Sequence, residues 1–122
     1  MTEPKTVRGL DFEALRRAYE GHDAGLATGL YADDAELRIV DRNSPPGAPL
    51  VLSGKGQISE YLHDVFSREM THHIENEVIG EERVAMHIAC RYPDESSVLC
   101  AVILEVRDGR IFREVDVQAW DD

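Results

Sequence analysis

The sequence predicts an α+β domain, a layer of N-terminal helices packed on an antiparallel sheet, and three observations carry that prediction. Apolar residues recur at helical spacing at Phe12, Leu15 and Tyr19, and again at Ile58, Tyr61, Leu62, Val65 and Phe66. After residue 70 a period of two marks residues 71–80, 83–92 and 111–120, around a nearly all-apolar run at 98–106. Two glycine-bearing turns, Gly80-Glu81-Glu82 and Asp108-Gly109, cut that second half into hairpins. At 122 residues the chain makes one domain with a single core. The first ten residues read as an extension, with the domain running over residues 11–122.

Asp11 is placed to cap a helix reaching about Gly21, with Glu13 favourable in its first turn. Gly21-His22-Asp23 breaks it, and a short second helix follows over residues 24–31, burying Leu26 and Leu30. Asp33-Asp34 reads as a solvated turn, after which residues 35–41 alternate as a strand with Ala35, Leu37, Ile39 and Asp41 on one side. Pro45, Pro46, Gly47 and Pro49 make residues 42–53 a long loop, of a length that often forms a lid or a mouth. A third helix spans residues 54–66.

Residues 71–80 and 83–92 form the first hairpin. Pairing Val78 with Val84 puts both apolar sets on one face, sets His72 opposite Cys90 and Asn76 opposite Met86, and leaves Glu75 opposite His87 on the outside. That gives His87 a structural role as a cross-strand pair. In the second hairpin residues 98–106 are nearly all apolar, while the last strand separates Ile111, Val115, Val117 and Ala119 from Phe112, Glu114, Asp116, Gln118 and Trp120. A two-residue turn at Asp108-Gly109 pairs Arg107 with Arg110 and leaves Asp116 away from Cys100 and Val102; a three-residue turn with a glycine bulge brings Asp116 inward.

Composition narrows the function. With 13 basic and 24 acidic side chains the formal charge is −11, which disfavours nucleic acid and anionic membranes as partners. Cys90 and Cys100 are too few for a disulfide framework and read as small buried hydrophobes. The longest apolar run falls far short of a membrane span and the start lacks a secretory apolar core, so a cytoplasmic setting is expected. His72 and His73 point to opposite faces of a strand, and no Cys or His spacing matches a zinc site, so no metal is expected.

Four short stretches in order, Leu30-Tyr31-Ala32-Asp33-Asp34-Ala35-Glu36, Gly54-Lys55-Gly56-Gln57-Ile58, Thr71-His72-His73-Ile74-Glu75-Asn76 and Asp108-Gly109-Arg110-Ile111, carry a resemblance to a known family. Together with the element order they resemble the nuclear transport factor 2-like superfamily, in its SnoaL-like and ketosteroid isomerase-like branch. The resemblance covers about residues 11–120 and implies a cone-shaped fold: a curved mixed or antiparallel sheet wrapped around three N-terminal helices, enclosing a deep apolar pocket, often as a homodimer. Against the ketosteroid isomerase pattern, the oxyanion-hole tyrosine falls on Leu15, the aspartate base on Ile39 and the aspartic acid donor on Val102 or Ile103, so that machinery is absent. Tyr19 stands one helical turn from Leu15 and is not the equivalent position.

SnoaL-like cyclases and their relatives tend to use an inner-strand histidine and an acid on the last strand, and by that resemblance His72 and Asp116 are the catalytic candidates. Asn76 and Gln118 are then expected to orient a ligand, with Asp41 as a second acid near the mouth and Phe12, Tyr19, Tyr61, Phe66, Met86 and Trp120 as apolar walls. A carboxylate in an apolar cavity has its pKa raised toward the working pH, which makes it a usable base. The function so implied is cofactor-independent acid–base chemistry of the polyketide cyclase, isomerase or dehydratase type on a small apolar carbonyl compound. The competing reading is a non-catalytic domain of the same fold that binds a lipophilic ligand or dimerises, marked by an outward Asp116 and a small or filled cavity. Ala85, Ala89, Leu99, Ala101 and Ile103 on the outer sheet face, with the resemblance, imply an isologous homodimer.

Overall fold

A computed structural model describes residues 6, 7 and 9–121. The elements run β1 (Thr6–Val7), β2 (Leu10–Asp11), α1 (Phe12–Glu20), α2 (Ala24–Gly29), β3 (Tyr31–Val40), β4 (Leu50–Ser53), α3 (Lys55–Phe66), β5 (Thr71–Ile79), β6 (Arg83–Arg91), β7 (Ser97–Arg107) and β8 (Arg110–Trp120). The α+β class is as expected: three helices lie against a six-stranded mixed sheet of order β4-β3-β8-β7-β6-β5, in which only the β3–β8 pair is parallel. Of the expected extension, residues 1–5 and 8 lie outside the described residues; Thr6–Val7 pairs with Leu10–Asp11, and Leu10 is fully buried in the core.

Asp11 caps α1 by accepting from the backbone N–H of Ala14, and Phe12, Leu15 and Tyr19 turn into the core as their spacing requires. Arg16 ties α1 to β5, donating to the Ile74 carbonyl at 2.7 Å and to the Glu77 carboxylate. Asp23 caps α2, which stops at Gly29, earlier than expected. The chain enters β3 at Tyr31, since Tyr31 already pairs with Ile111 and the Ile111 N–H bonds the Leu30 carbonyl. Asp33 and Asp34 are solvated, as their chemistry suggests, but they sit within β3 rather than in a turn. The proline-rich segment also ends in a strand: Leu50–Ser53 adds to the sheet edge against residues 36–39, where proline-free backbone is available.

Two bulges decide which side chains face inward. The β5–β6 register is as expected from Thr71↔Arg91 through Glu75↔His87 and then shifts, so that Val78 pairs with Ala85. Asn76 takes up the slip with a left-handed backbone, φ 57°, a conformation asparagine tolerates better than most residues. The expectation that Asn76 and Val78 face inward is therefore corrected: both are exposed, and Asn76 donates to Nδ1 of the outer-face His87.

The second bulge lies in β8. Asp108 (φ 53°) and Gly109 (φ 78°) make a two-residue turn with Arg107 opposite Arg110, yet Asp116 points inward, because Phe112 is an extra residue between the Val106↔Ile111 and Glu105↔Arg113 pairs. The expected link between a two-residue turn and an outward Asp116 is thus overturned by a bulge beyond the turn. Ile111 and then Glu114, Asp116, Gln118 and Trp120 share the inner face, while Val117 is exposed on the outside.

Candidate active site

The inner face of the sheet carries one row of polar groups across four neighbouring strands. His72 on β5 places Nδ1 3.3 Å from Sγ of Cys90, its partner on β6. Cys100 on β7 is the diagonal inner-face neighbour of Cys90 on β6 and of Asp116 on β8, and all three line one cavity. Asp116 Oδ2 accepts from Gln118 Nε2 at 3.3 Å, that amide also approaches the Tyr61 hydroxyl at 3.4 Å, and Gln118 Oε1 accepts from the Trp120 indole at 3.0 Å. Each junction depends on inter-strand register, since a one-residue slip reverses every side chain.

A cavity of about 50 Å³ lies over this row. Its walls are His72, Cys90, Cys100, Asp116, Gln118 and Trp120 from the sheet, Tyr19 from α1, and Tyr61, Leu62 and Val65 from α3, with Ile88 and Val98 adding apolar surface. Exposed Arg68 and half-exposed Tyr92 and Trp120 form its outer part; Arg68 donates to the Tyr92 hydroxyl, Tyr92 stacks on Trp120, and the Arg42 guanidinium covers Trp120 at 4.2 Å. His72 and Asp116 are 6 % and 7 % exposed. Among the described residues, the buried side-chain polar atoms without a hydrogen-bond partner are His72 Nε2 and Asp116 Oδ1, and both residues line this cavity. Such orphans are uncommon in folded proteins and call for a reason.

Beside the cavity lies a second buried polar pair. Tyr19 and Tyr31 are both buried there, and the Tyr31 hydroxyl donates to Glu114 at 2.5 Å. Burial, then the neighbouring Asp116 carboxylate, pushes Glu114 up to about 8. Burial raises Asp116 to about 6, against the lowering effect of its Gln118 hydrogen bond. The Cys90 thiol is held below the ordinary thiol range, first by the neighbouring Cys100 and then by His72, while Cys100 shifts upward. Where the Cys90 thiol donates to His72 Nδ1, the neutral imidazole carries its proton on Nε2. An imidazole and a carboxylate thus stand in the walls of one cavity.

Of the residues expected to form the site, His72, Asp116, Tyr19, Tyr61, Gln118 and Trp120 line the cavity. Phe66 packs behind it, with its ring 5.3 Å from His72 and 5.1 Å from Tyr19. Phe12 and Met86 are corrected to plain core, buried away from the cavity lining, because the helix and strand turn them toward other parts of the interior. Asn76 is outside, as described. Asp41 is half-exposed beyond the end of β3, where its carboxylate accepts from the Asn43 N–H, and it contributes to raising Asp116. Sequence reasoning misses Cys90, Cys100 and the Tyr31–Glu114 pair. Their alternation with His72 and Asp116 is visible, but small thiols in apolar strands look like packing. Among the described residues no group of three or more His, Cys, Asp or Glu is positioned to hold a metal.

The fold and this inner-face site define a pocket protein of the SnoaL-like kind, and the chain belongs to the SnoaL-like domain family, whose profile matches residues 12–114. Solved structures agree on the NTF2-like fold. An NTF2-like protein of unknown function from Mesorhizobium loti is 17 % identical, with a TM-score of 0.77 over 88 % of this chain and 89 % of that one. A protein of ketosteroid isomerase-like fold from Catenulispora acidiphila, crystallised with trimethylamine, is 18 % identical, with a TM-score of 0.67 over 86 % and 82 %. IdmH, a candidate polyketide cyclase from Streptomyces antibioticus, is 20 % identical, with a TM-score of 0.66 over 88 % of each chain. A search of curated proteins gives no significant match. Among the described residues no helix is long and apolar enough to cross a membrane.

Proposed function

We propose that this protein is a cofactor-independent acid–base enzyme of the cyclase, isomerase or dehydratase type, acting on an enolisable apolar carbonyl compound. The observation that carries the reading is the pair of unpartnered buried atoms, His72 Nε2 and Asp116 Oδ1, in the walls of one cavity. Asp116 takes the α-proton: raised to about 6, it is ionised at neutral pH yet a stronger base than an ordinary aspartate. His72 Nε2–H donates to the carbonyl oxygen, where negative charge grows as the enolate forms. Gln118, held by Tyr61 and Trp120, fixes the carboxylate. At about 50 Å³ the enclosed space takes the reacting end of a ligand, with the remainder passing Tyr92 and Trp120.

The test works with any compact enolisable ketone and does not require the natural substrate. Such ketones are incubated in D2O and α-proton exchange is followed by NMR. Wild type should catalyse exchange, with kcat/KM rising with pH through about 6, and Asp116→Asn should lose about 10²–10⁴-fold. Asp116→Asn should also keep its Tm or gain at pH 7.5, because the native carboxylate is disfavoured there. Exchange that survives in Asp116→Asn removes Asp116 from the mechanism. The small cavity favours a second reading, a ligand-binding domain without turnover. It would show as no exchange above buffer together with saturable ligand-induced shifts of the His72 resonances.

We also propose an isologous homodimer through the outer sheet face, where Leu99, Ile103 and Val117 stand exposed with Ala101 and Ala119 beside them.

A further inference from the structure

The acid–base reading uses His72 Nε2 and Asp116 and leaves the sulfur atoms idle. Yet Cys90 and Cys100 both line the cavity, both are free thiols, and Cys90 Sγ stands 3.3 Å from an imidazole nitrogen. Thiol and imidazole side chains at this separation form the arrangement that activates a cysteine nucleophile. The sulfur is reached from the cavity, whose outer part is formed by exposed Arg68 and half-exposed Tyr92 and Trp120. A cavity of about 50 Å³ favours compact molecules. Apolar walls from Leu62, Val65, Ile88 and Val98 suit an uncharged carbon skeleton, and the orphaned Nε2–H suits a carbonyl oxygen.

We propose that Cys90, with His72 as its base, is a nucleophile that adds reversibly to compact α,β-unsaturated carbonyl compounds. The thiol proton passes to His72 Nδ1, and a sulfur electron pair forms the S–C bond at the β-carbon of the electrophile. The C=C electron pair moves toward the carbonyl oxygen, and the imidazolium returns its proton to the α-carbon. S–H has then added across C=C with nothing oxidised or reduced, and the reverse sequence frees the electrophile. The inference does not rest on Asp116 acting as a base, so either reading can fail while the other stands.

The full chain is incubated with methyl vinyl ketone at pH 6 and followed by intact mass and peptide mapping, with glutathione as the free-thiol reference. The expected result is a single adduct on Cys90, forming about tenfold or more faster than on glutathione, because the free thiol is almost wholly protonated at that pH. Cys90→Ser should abolish it. His72→Gln, which leaves the thiol in place, should bring the rate to or below that of glutathione. First addition at Cys100, a Cys90 rate no greater than that of glutathione, or no adduct at all overturns the proposal. The wild-type comparison with glutathione decides the matter even if His72→Gln fails to fold.

Discussion

Glu114 is 2 % exposed on the inner face of the sheet, with its charge opposed by burial and by Asp116 one alternation further along β8. The native state holds its proton up to about 8, whereas an ordinary glutamate releases it near 4.5, so the native chain binds the extra proton between those values. Its stabilising effect is then complete below about 4.5 and is lost as pH rises through 8. Wild-type Tm should fall between pH 5 and pH 9. Glu114→Gln, which keeps an oxygen for the Tyr31 hydroxyl, should flatten that fall and be more stable than wild type at pH 9 by a few kcal/mol, on the order of the linkage energy. Calorimetric scans at several pH values check it, and parallel curves for the two proteins would show that Glu114 titrates normally.

At the scale of the element, β8 is built around one extra residue. Phe112 bulges between Ile111 and Arg113, its ring near the Arg107 and Arg113 guanidiniums at 4.6 and 5.7 Å, and beyond it alternation restores Glu114, Asp116 and Gln118 to the inside. Deleting Phe112 should therefore leave the inner face unchanged, with a loss of about 1–3 kcal/mol from strand twist and ring packing. Deleting Val115, past the bulge, should reverse the faces of its neighbours and abolish folding. Circular dichroism and urea melts of the two deletions distinguish them. The bulges also explain how far the chain can be read without coordinates. Period-two patterning marks the strands, the His72↔Cys90 register and the shared face of Glu114, Asp116 and Gln118. It does not say which side that face turns to, because one uncounted residue exchanges inside for outside. Asn76 shows the same limit: nothing in Glu75-Asn76-Glu77 marks a bulge except an asparagine, a residue found at strand ends and in turns alike. Leu50–Ser53 is hidden for a different reason, since a four-residue edge strand after three prolines has no periodicity to detect.

Across the whole molecule one side of the sheet is covered by helices and the other carries Leu99, Ile103 and Val117 at 45 %, 51 % and 46 % exposure. On a chain of net charge −11, long-range repulsion opposes self-association, so pairing should use this apolar patch and strengthen with salt. Sedimentation should give twice the chain mass, and the double variant Ile103→Glu, Val117→Glu should give a folded monomer; a monomeric wild type at moderate concentration would remove the dimer. The order β4-β3-β8-β7-β6-β5 has one more consequence, for the timing of assembly. The strand that supplies Glu114, Asp116 and Gln118 is the last of the domain to be synthesised, yet it takes a central place between β3 and β7. Until it arrives those two strands present open edges, and the Tyr31–Glu114 bond spans 83 positions of sequence. Closure of the sheet is consequently a late, non-local event, slow by the entropy of its long loops, and the nascent chain passes through a stage in which its most aggregation-prone edges wait for their partner.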